Sequence, residues 1–331
     1  MWVNTKADLL AAGTAQIAGA SWNHFVSQSA AGPGAGGDGS VFLNYHGNRV
    51  KLSLSKTGSV LLSHRGEGIV SFILNNESHI ARLEPAPLHC PEQAYITISG
   101  SCIFSCKYCN VPALAGRRKS SDEIVRLIQK QQESGSIRAI SLTSGIMYSI
   151  EEEEEYVISV ITRLRTEFPV LPIGVSIYPT SKSPERLYQA GVCEVKFNLE
   201  TATDVLLAEM CPESSREKIM SALKTSVQLF GKGHVFSNVI LGLGESDQEM
   251  EACIYELCAI GVIPIIRPLN PNCTLQAAGY RRPDSKRLLA MHKIMRKALG
   301  DAGLDPSLCE TMCPRCGGCD LVVGRDDCND D

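Results

Sequence analysis

The chain has 331 residues, 44% of them hydrophobic, with a net charge of −4 and fourteen cysteines. That size suits two domains, or one barrel-sized domain with additions. Acids and bases are interspersed, which argues against nucleic-acid binding through a basic stripe, and no apolar run reaches the ~18 residues that signal a membrane span.

Lys6 and Asp8 interrupt the Ala-rich start, unlike a signal peptide, so a cytoplasmic location is expected. A reducing compartment argues against disulfides and makes metal binding the default reading of clustered cysteines. Residues 1–85 read as a separate N-terminal α+β region of unassigned role. The pattern predicts a helix over 6–18, then a Gly-rich linker over 30–40. Short β-like runs follow at 41–45, 50–54, 60–62 and 69–74, separated by Gly and Asn turns. A Pro-rich stretch, 84–91, marks a boundary.

From residue 94 onward, predicted strands at 95–99, 139–143, 173–177, 194–199, 235–241 and 263–267 alternate with helices. Ser120 and Glu123 predict a capping box for a helix that Gly135 stops. The acidic run 151–155 reads as a solvated helix start that suits the helix dipole. Ser183 with Pro184 opens a third helix, stopped by Gly191, and Ser246 with Glu249 caps a fourth. This alternation implies an α/β fold: a parallel sheet with right-handed crossovers. Six βα units over 86–280 make a partial barrel rather than the closed eight-unit form. A helix over 285–302 and a cysteine-rich tail complete the region 281–331, with 326–331 expected to fray.

Cys102, Cys106 and Cys109 have the spacing C-x3-C-x2-C and directly follow the first of the six strands. Thiolates suit iron–sulfur clusters and zinc alike. Three on one loop hold three corners of a cubane and leave the fourth iron open to a substrate. A structural zinc site wants a fourth ligand nearby, and residues 100–114 offer no other Cys, His, Asp or Glu. A [4Fe–4S] cluster is therefore the preferred reading.

The triad, with Tyr108 before its last cysteine, resembles the signature of the radical S-adenosylmethionine (SAM) superfamily, and the likeness extends over 94–273. The resemblance implies a partial (β/α)6 barrel, a [4Fe–4S] cluster on the three cysteines, and cleavage of SAM to a 5′-deoxyadenosyl radical. It implies that the Thr143-Ser144-Gly145 segment binds the SAM amino group. Asn198 and Glu200 match the N-x-(D/E) motif that holds the ribose hydroxyls, a role that suits a carboxylate acceptor. Gly242 opens a segment similar to the GLGE(T/S) loop of biotin and lipoyl synthases, and Ile265 matches the apolar strand that packs the adenine. These positions fall at C-terminal strand ends, where barrel active sites are built. Arg216 or Lys218 is expected to pair with the SAM carboxylate, an exposed helix face being the alternative. Arg267, between apolar neighbours on the last strand, is a candidate for gripping a carboxylate.

Cys309, Cys313, Cys316 and Cys319 form a second group whose first three members repeat the x3, x2 spacing. Too little chain follows for another barrel, so this group is not the SAM-cleaving site. Its dense thiols read as a metal site: a zinc knot, or a second [4Fe–4S] cluster, which is favoured because cluster loading already serves the protein. Cys90, Cys193, Cys211, Cys253, Cys258, Cys273 and Cys328 read mainly as small buried hydrophobes.

The likeness of 197–201 and 242–246 to lipoyl synthase implies sulfur insertion at an unactivated C–H bond, with the second cluster giving up a sulfide. The implied substrate is an octanoylated carrier protein or a small molecule. The implied partners are a reduced ferredoxin- or flavodoxin-type donor and a second radical SAM chain. With only Cys90 before the triad, the chain looks more like archaeal-type biotin-synthase-related chains, some of which act as two-chain lipoyl synthases. The alternatives are a radical SAM methyltransferase or cofactor-maturation enzyme with a relay cluster, and a non-catalytic iron–sulfur or zinc-binding protein.

Overall fold

The computed structural model describes residues 2–26, 39–85, 92–113, 116–135 and 137–327. Most of the Gly-rich linker, most of the Pro-rich boundary, Cys90 and Cys328 lie outside the described residues. Helix α1 (Trp2–Ala12) is followed at once by β1 (Thr14–Gly19), so the helix expected over 6–18 stops early. Gly13, at φ 66°, makes the break.

β1 joins β2 (Ser40–Tyr45), β3 (Asn48–Leu54), β4 (Val60–Gly66), β5 (Ile69–Leu74) and β6 (Glu77–Leu83) in a closed barrel of order β1-β3-β2-β6-β5-β4. β1 runs parallel to β3 and β4, and the other pairings are antiparallel. Along β4 the two-residue period puts Val60, Leu62 and His64 inside. Nothing in the sequence reading expects β6, because ESHIARL buries only Ala81 and Leu83.

The second unit follows the expected alternation. β7 (Gln93–Thr97), β8 (Ala139–Thr143), β9 (Ile173–Ser176), β10 (Glu194–Lys196), β11 (Val235–Leu241) and β12 (Ile263–Pro268) form one parallel sheet in sequential order. Between them lie α2 (Ser121–Ser134), α3 (Ile150–Glu167), α4 (Ser183–Gln189), α5 (Asp204–Met210), α6 (Arg216–Phe230) and α7 (Asp247–Ala259). After β12 come α8 (Cys273–Ala277), α9 (Ser285–Ala302) and the single turn α10 (Cys313–Cys316). The capping box is complete at Ser246 and Glu249. At α2 only the Ser120 half forms, because Glu123 turns to Arg117 at 2.7 Å. Ser183 and Pro184 open α4 as expected, with Lys182 at the cap position and the Ser183 hydroxyl turned to Glu154.

The acidic run at α3 is not a solvated face throughout. Glu153 and Glu154 are buried, at 3% and 1% exposure. Glu154 takes hydrogen bonds from Thr180 and Arg186, each at 2.6 Å.

The tail is part of the core rather than an appendage. It enters the partial barrel at the N-terminal ends of the strands. Gln93 donates to the Glu310 carbonyl at 3.3 Å, and Ser141 donates to that of Thr311. Glu194 accepts the N–H groups of Glu310 and Thr311, each at 2.8 Å. A side chain at Gly174 would collide with Thr311 and Met312, so its absence makes room for this plug.

Asp326 is buried rather than frayed. It accepts from Lys6 at 2.7 Å and from the Val322 N–H at 2.6 Å. Lys6, which looks like an interruption of an apolar helix, thus closes the two ends of the chain on each other with both side chains 0% exposed. Removing one partner strands a buried charge. Lys6→Met is expected to cost about 3–5 kcal/mol in urea unfolding. Adding Asp326→Asn should recover part of that loss, since the two sites are coupled; strictly additive costs would contradict the pairing.

Candidate active site

The loop leaving β7 carries Cys102, Cys106 and Cys109, and all three line one cavity of about 890 Å³. The loop is pinned from several elements. Glu213 accepts from the Ser105 N–H and hydroxyl at 3.1 and 2.6 Å. The Lys107 N–H donates to the Met210 carbonyl, and Asn272 donates to that of Lys107, both at 2.8 Å. The Phe104 and Tyr178 rings meet edge to face at 5.0 Å. Burial raises the Cys102 and Cys109 thiols, the latter to about 12. Cys106 is raised first by its hydrogen bond with Cys211 and then by burial. Thiolates here therefore call for the charge of a bound metal.

Thr143, Ser144, Asn198 and Glu200 line the same cavity. Gly145 sits so close to the Ser101 carbonyl that no side chain fits. Ser144 accepts from the Ser99 N–H at 3.0 Å and donates to Glu153 at 2.6 Å. Glu153 also accepts from Ser99 at 2.8 Å, Arg118 at 2.7 Å and the Met147 N–H at 3.3 Å. This buried carboxylate braces the rim of the cavity, a role hidden inside an acidic run in the sequence.

Glu200 stands at φ 65°, a rare setting for a non-glycine residue that points to a constrained functional position. Burial pushes its carboxyl up to about 7, against the opposing pull of Asn198 and Lys196. Tyr108 is buried, accepts from the Cys211 thiol at 3.2 Å, and hydrogen-bonds Glu200. Cys211 is thus a buried neighbour of the triad that no motif announces.

Other expected residues stand elsewhere. Arg216 pairs with Glu256 and with Asp204 at 3.3 Å, and Lys218 is exposed on α6; neither lines the cavity. The Gly242 loop closes on itself, because Glu245 accepts the Gly242 and Leu243 N–H groups at 2.7 and 2.8 Å. Ile265 is core.

A second cavity, of about 720 Å³, shares Tyr108 and Glu200 with the first. Its lining adds Lys51, Asn238, Arg267, Arg282 and Cys319. The tail thiols meet cations here. Lys196 and Arg267 donate to Cys313 Sγ at 3.3 and 2.9 Å, and Arg49 donates to Cys316 Sγ at 3.0 Å. Burial pulls Arg282 down to about 10. Cys309 differs. It is buried with its thiol 3.6 Å from Glu194, and burial, then Glu194, raise it.

Three atoms test whether polar ligands fit. Thr97 Oγ1, Asn238 Oδ1 and Arg267 Nε are buried at these cavities without a hydrogen-bond partner. Such orphans are costly unless something satisfies them, so the cavities suit polar occupants. Among the described residues no three Cys, His, Asp or Glu side chains form a cage for a single ion. A cubane is wider than one ion and takes thiols standing further apart.

Residues 96–255 match the family profile described as the Radical SAM superfamily. Lipoyl synthase of Leptospira biflexa serovar Patoc is 24% identical over 205 residues, 58% of this chain and 63% of that protein. The chain thus spans less than two thirds of the length of the curated relatives it matches. HydG, a maturase of the [FeFe]-hydrogenase, aligns at TM-score 0.53 and 16% identity, covering 64% of this chain and 50% of that one. Methylornithine synthase aligns at TM-score 0.51 and 15% identity, covering 61% of each. At these identities the likeness is one of fold, an α/β barrel of radical SAM type.

Glu153→Gln removes the charge that gathers Ser99, Ser144, Arg118 and Met147. Backbone amides of Ser99 and Met147 should exchange faster by hydrogen-exchange mass spectrometry, with a stability loss of about 1–3 kcal/mol. Unchanged protection there would show that the rim does not depend on this carboxylate.

Proposed function

Because residues 96–255 match the Radical SAM superfamily profile, we propose that the chain cleaves SAM at the Cys102, Cys106 and Cys109 loop and directs the radical to sulfur insertion of the lipoyl-synthase type. The supporting observation is that the cavity under the triad and the cavity holding Cys319 share Tyr108 and Glu200. A substrate at that junction would face the triad on one side and Cys319 on the other. The distant likeness to lipoyl synthase supports the same reading.

In this reading Cys102, Cys106 and Cys109 take three corners of a [4Fe–4S] cluster. When bound and reduced, that cluster supplies the electron that splits SAM into methionine and a 5′-deoxyadenosyl radical. The Thr143-Ser144-Gly145 rim, braced by Glu153, receives the SAM amino group. Asn198 and Glu200 take the ribose hydroxyls, the carboxylate accepting both protons. The tail cysteines house a second [4Fe–4S] cluster, and the cations that donate to their sulfurs favour thiolate. The substrate is an octanoyl group on a carrier protein or a small acyl compound. A ferredoxin- or flavodoxin-type protein supplies electrons, and a second radical SAM chain shares the task.

Anaerobic protein reconstituted with iron and sulfide, given SAM, reductant and octanoyl-lysine peptide, should yield thiolated peptide and lose tail-cluster iron. Cys102→Ser should abolish 5′-deoxyadenosine formation, whereas Cys316→Ser should spare it and stop thiolation. Deoxyadenosine without thiolated peptide, even with a partner chain present, would count against sulfur insertion. Intact tail iron after turnover would favour a relay role.

Glu200 gives a pH dependence of fixed sign. Its carboxyl is raised to about 7, so the ligand-free fold favours the protonated form and loses that contribution as pH rises through 7. The ribose hydroxyls need the ionised form. SAM affinity should therefore rise between about pH 6 and 8 and then level off, and Glu200→Gln should flatten the profile. Calorimetric titration would show this; affinity that falls with pH would be the wrong sign.

A further inference from the structure

We infer that only Cys313, Cys316 and Cys319 carry the second cluster, that Cys309 stays outside it as a thiol, and that the fourth iron faces the inner cavity, where it takes a small anionic ligand. This rests on the two-cluster reading above and divides a cysteine group that the sequence presents as one set.

The division is electrostatic. Cys313 Sγ accepts from Lys196 and Arg267, and Cys316 Sγ accepts from Arg49. Cys319 lines the inner cavity beside Lys51, Arg267 and Arg282. A thiolate at each of these three positions meets positive charge. Cys309 instead points its thiol at Glu194, 3.6 Å away and 0% exposed, and its sulfur accepts a backbone N–H, that of Met312 at 3.1 Å, rather than a side-chain cation. That carboxylate is already committed, because it gathers the N–H groups of Glu310 and Thr311 and the Thr311 hydroxyl at 2.6 Å. A thiolate at Cys309 would face this buried carboxylate, whereas a thiol donates to it.

The thiols also face different spaces. Cys309 lines an outer cavity with Glu92 and with Arg49, Arg315 and Arg325, whose guanidinium groups hydrogen-bond elsewhere. Cys319 lines the inner one with Tyr108 and Glu200. Gly317, in the left-handed region at φ 61°, ends α10 and turns the chain. Gly318 continues that turn, its missing side chain leaving space for the Phe42 ring.

Charge balance favours a further anion. An oxidised cubane on three thiolates carries one net negative charge. Lys51, Lys196, Arg267 and Arg282 form no ion pair among the described residues, and Arg267 Nε has no partner. The carboxyls facing them are those of Asp320 and Glu200. Positive charge remains in excess, as a site for an anionic donor on the open iron requires.

The test uses the full chain with Cys102, Cys106 and Cys109 changed to Ala, so that only the tail can hold iron. After reconstitution this background should hold about four irons and give a reduced-cluster EPR signal. Adding Cys309→Ala should leave both unchanged, and adding Cys313→Ala or Cys319→Ala should remove both. Cyanide should shift the signal, ¹³C-cyanide should show hyperfine coupling, and Lys51→Met with Arg282→Gln should weaken cyanide binding about tenfold. Iron loss on Cys309→Ala, or a signal indifferent to cyanide, would overturn the inference while leaving two clusters intact. A background without iron would sink the two-cluster reading itself. Should the triple variant not fold, Mössbauer spectra of the unaltered chain with SAM saturating the first cluster give the same cyanide readout.

Discussion

The organisation of the interior depends on one row of side chains along β10 and its extension. A strand's two-residue period puts Glu194, Lys196, Asn198 and Glu200 on one face. Glu194 receives the tail backbone, Lys196 reaches Cys313, and Asn198 and Glu200 line the triad cavity. The charge pattern along that row, acid, base, amide, acid, assigns each level of the barrel its occupant. The tail plug, the cation layer and the polar floor under the triad follow from it.

The small closed barrel acquires a role from this arrangement. It contributes Arg49 and Lys51 to the surroundings of the tail thiols, and the Lys51 N–H donates to the Gly318 carbonyl at 2.7 Å. Lys6 clamps Asp326 and donates to the Gly317 carbonyl at 2.6 Å. Arg282 reaches back to the Leu10 carbonyl. The N-terminal unit thus walls the inner cavity and holds the tail in place. Buried cations of this kind are expensive unless compensated, which ties the fold of one unit to the chemistry of the other.

Much of this was legible where the signal is local. The βα alternation, the Ser246 cap, the end of α9 at Gly303 and the triad all rest on spacings of a few residues. The errors have the same cause seen from the other side. Gly13 breaks a helix whose composition reads through it. Glu153 and Glu154 look solvated because their partners Ser99, Ser144 and Arg186 lie far along the chain. Lys6 and Asp326 find each other across 320 residues. The cations around the tail come from β3, β10, β12 and the segment before α9, and no sequence window holds them together. Lys196 carried a usable hint: a lysine on a fully buried parallel strand needs an anion. Arg267 carried the same hint, and its partner proved to be a thiol.

The central claim of the proposed function is that two iron centres occupy neighbouring cavities that meet at Tyr108 and Glu200. Anomalous diffraction at the iron edge from crystals of anaerobically reconstituted protein tests it most directly. The account predicts two iron peaks, one at the Cys102 loop and one beside Cys313 and Cys319, with Tyr108 and Glu200 between them. A single iron peak, or a peak at the tail that appears only at the zinc edge, would contradict it.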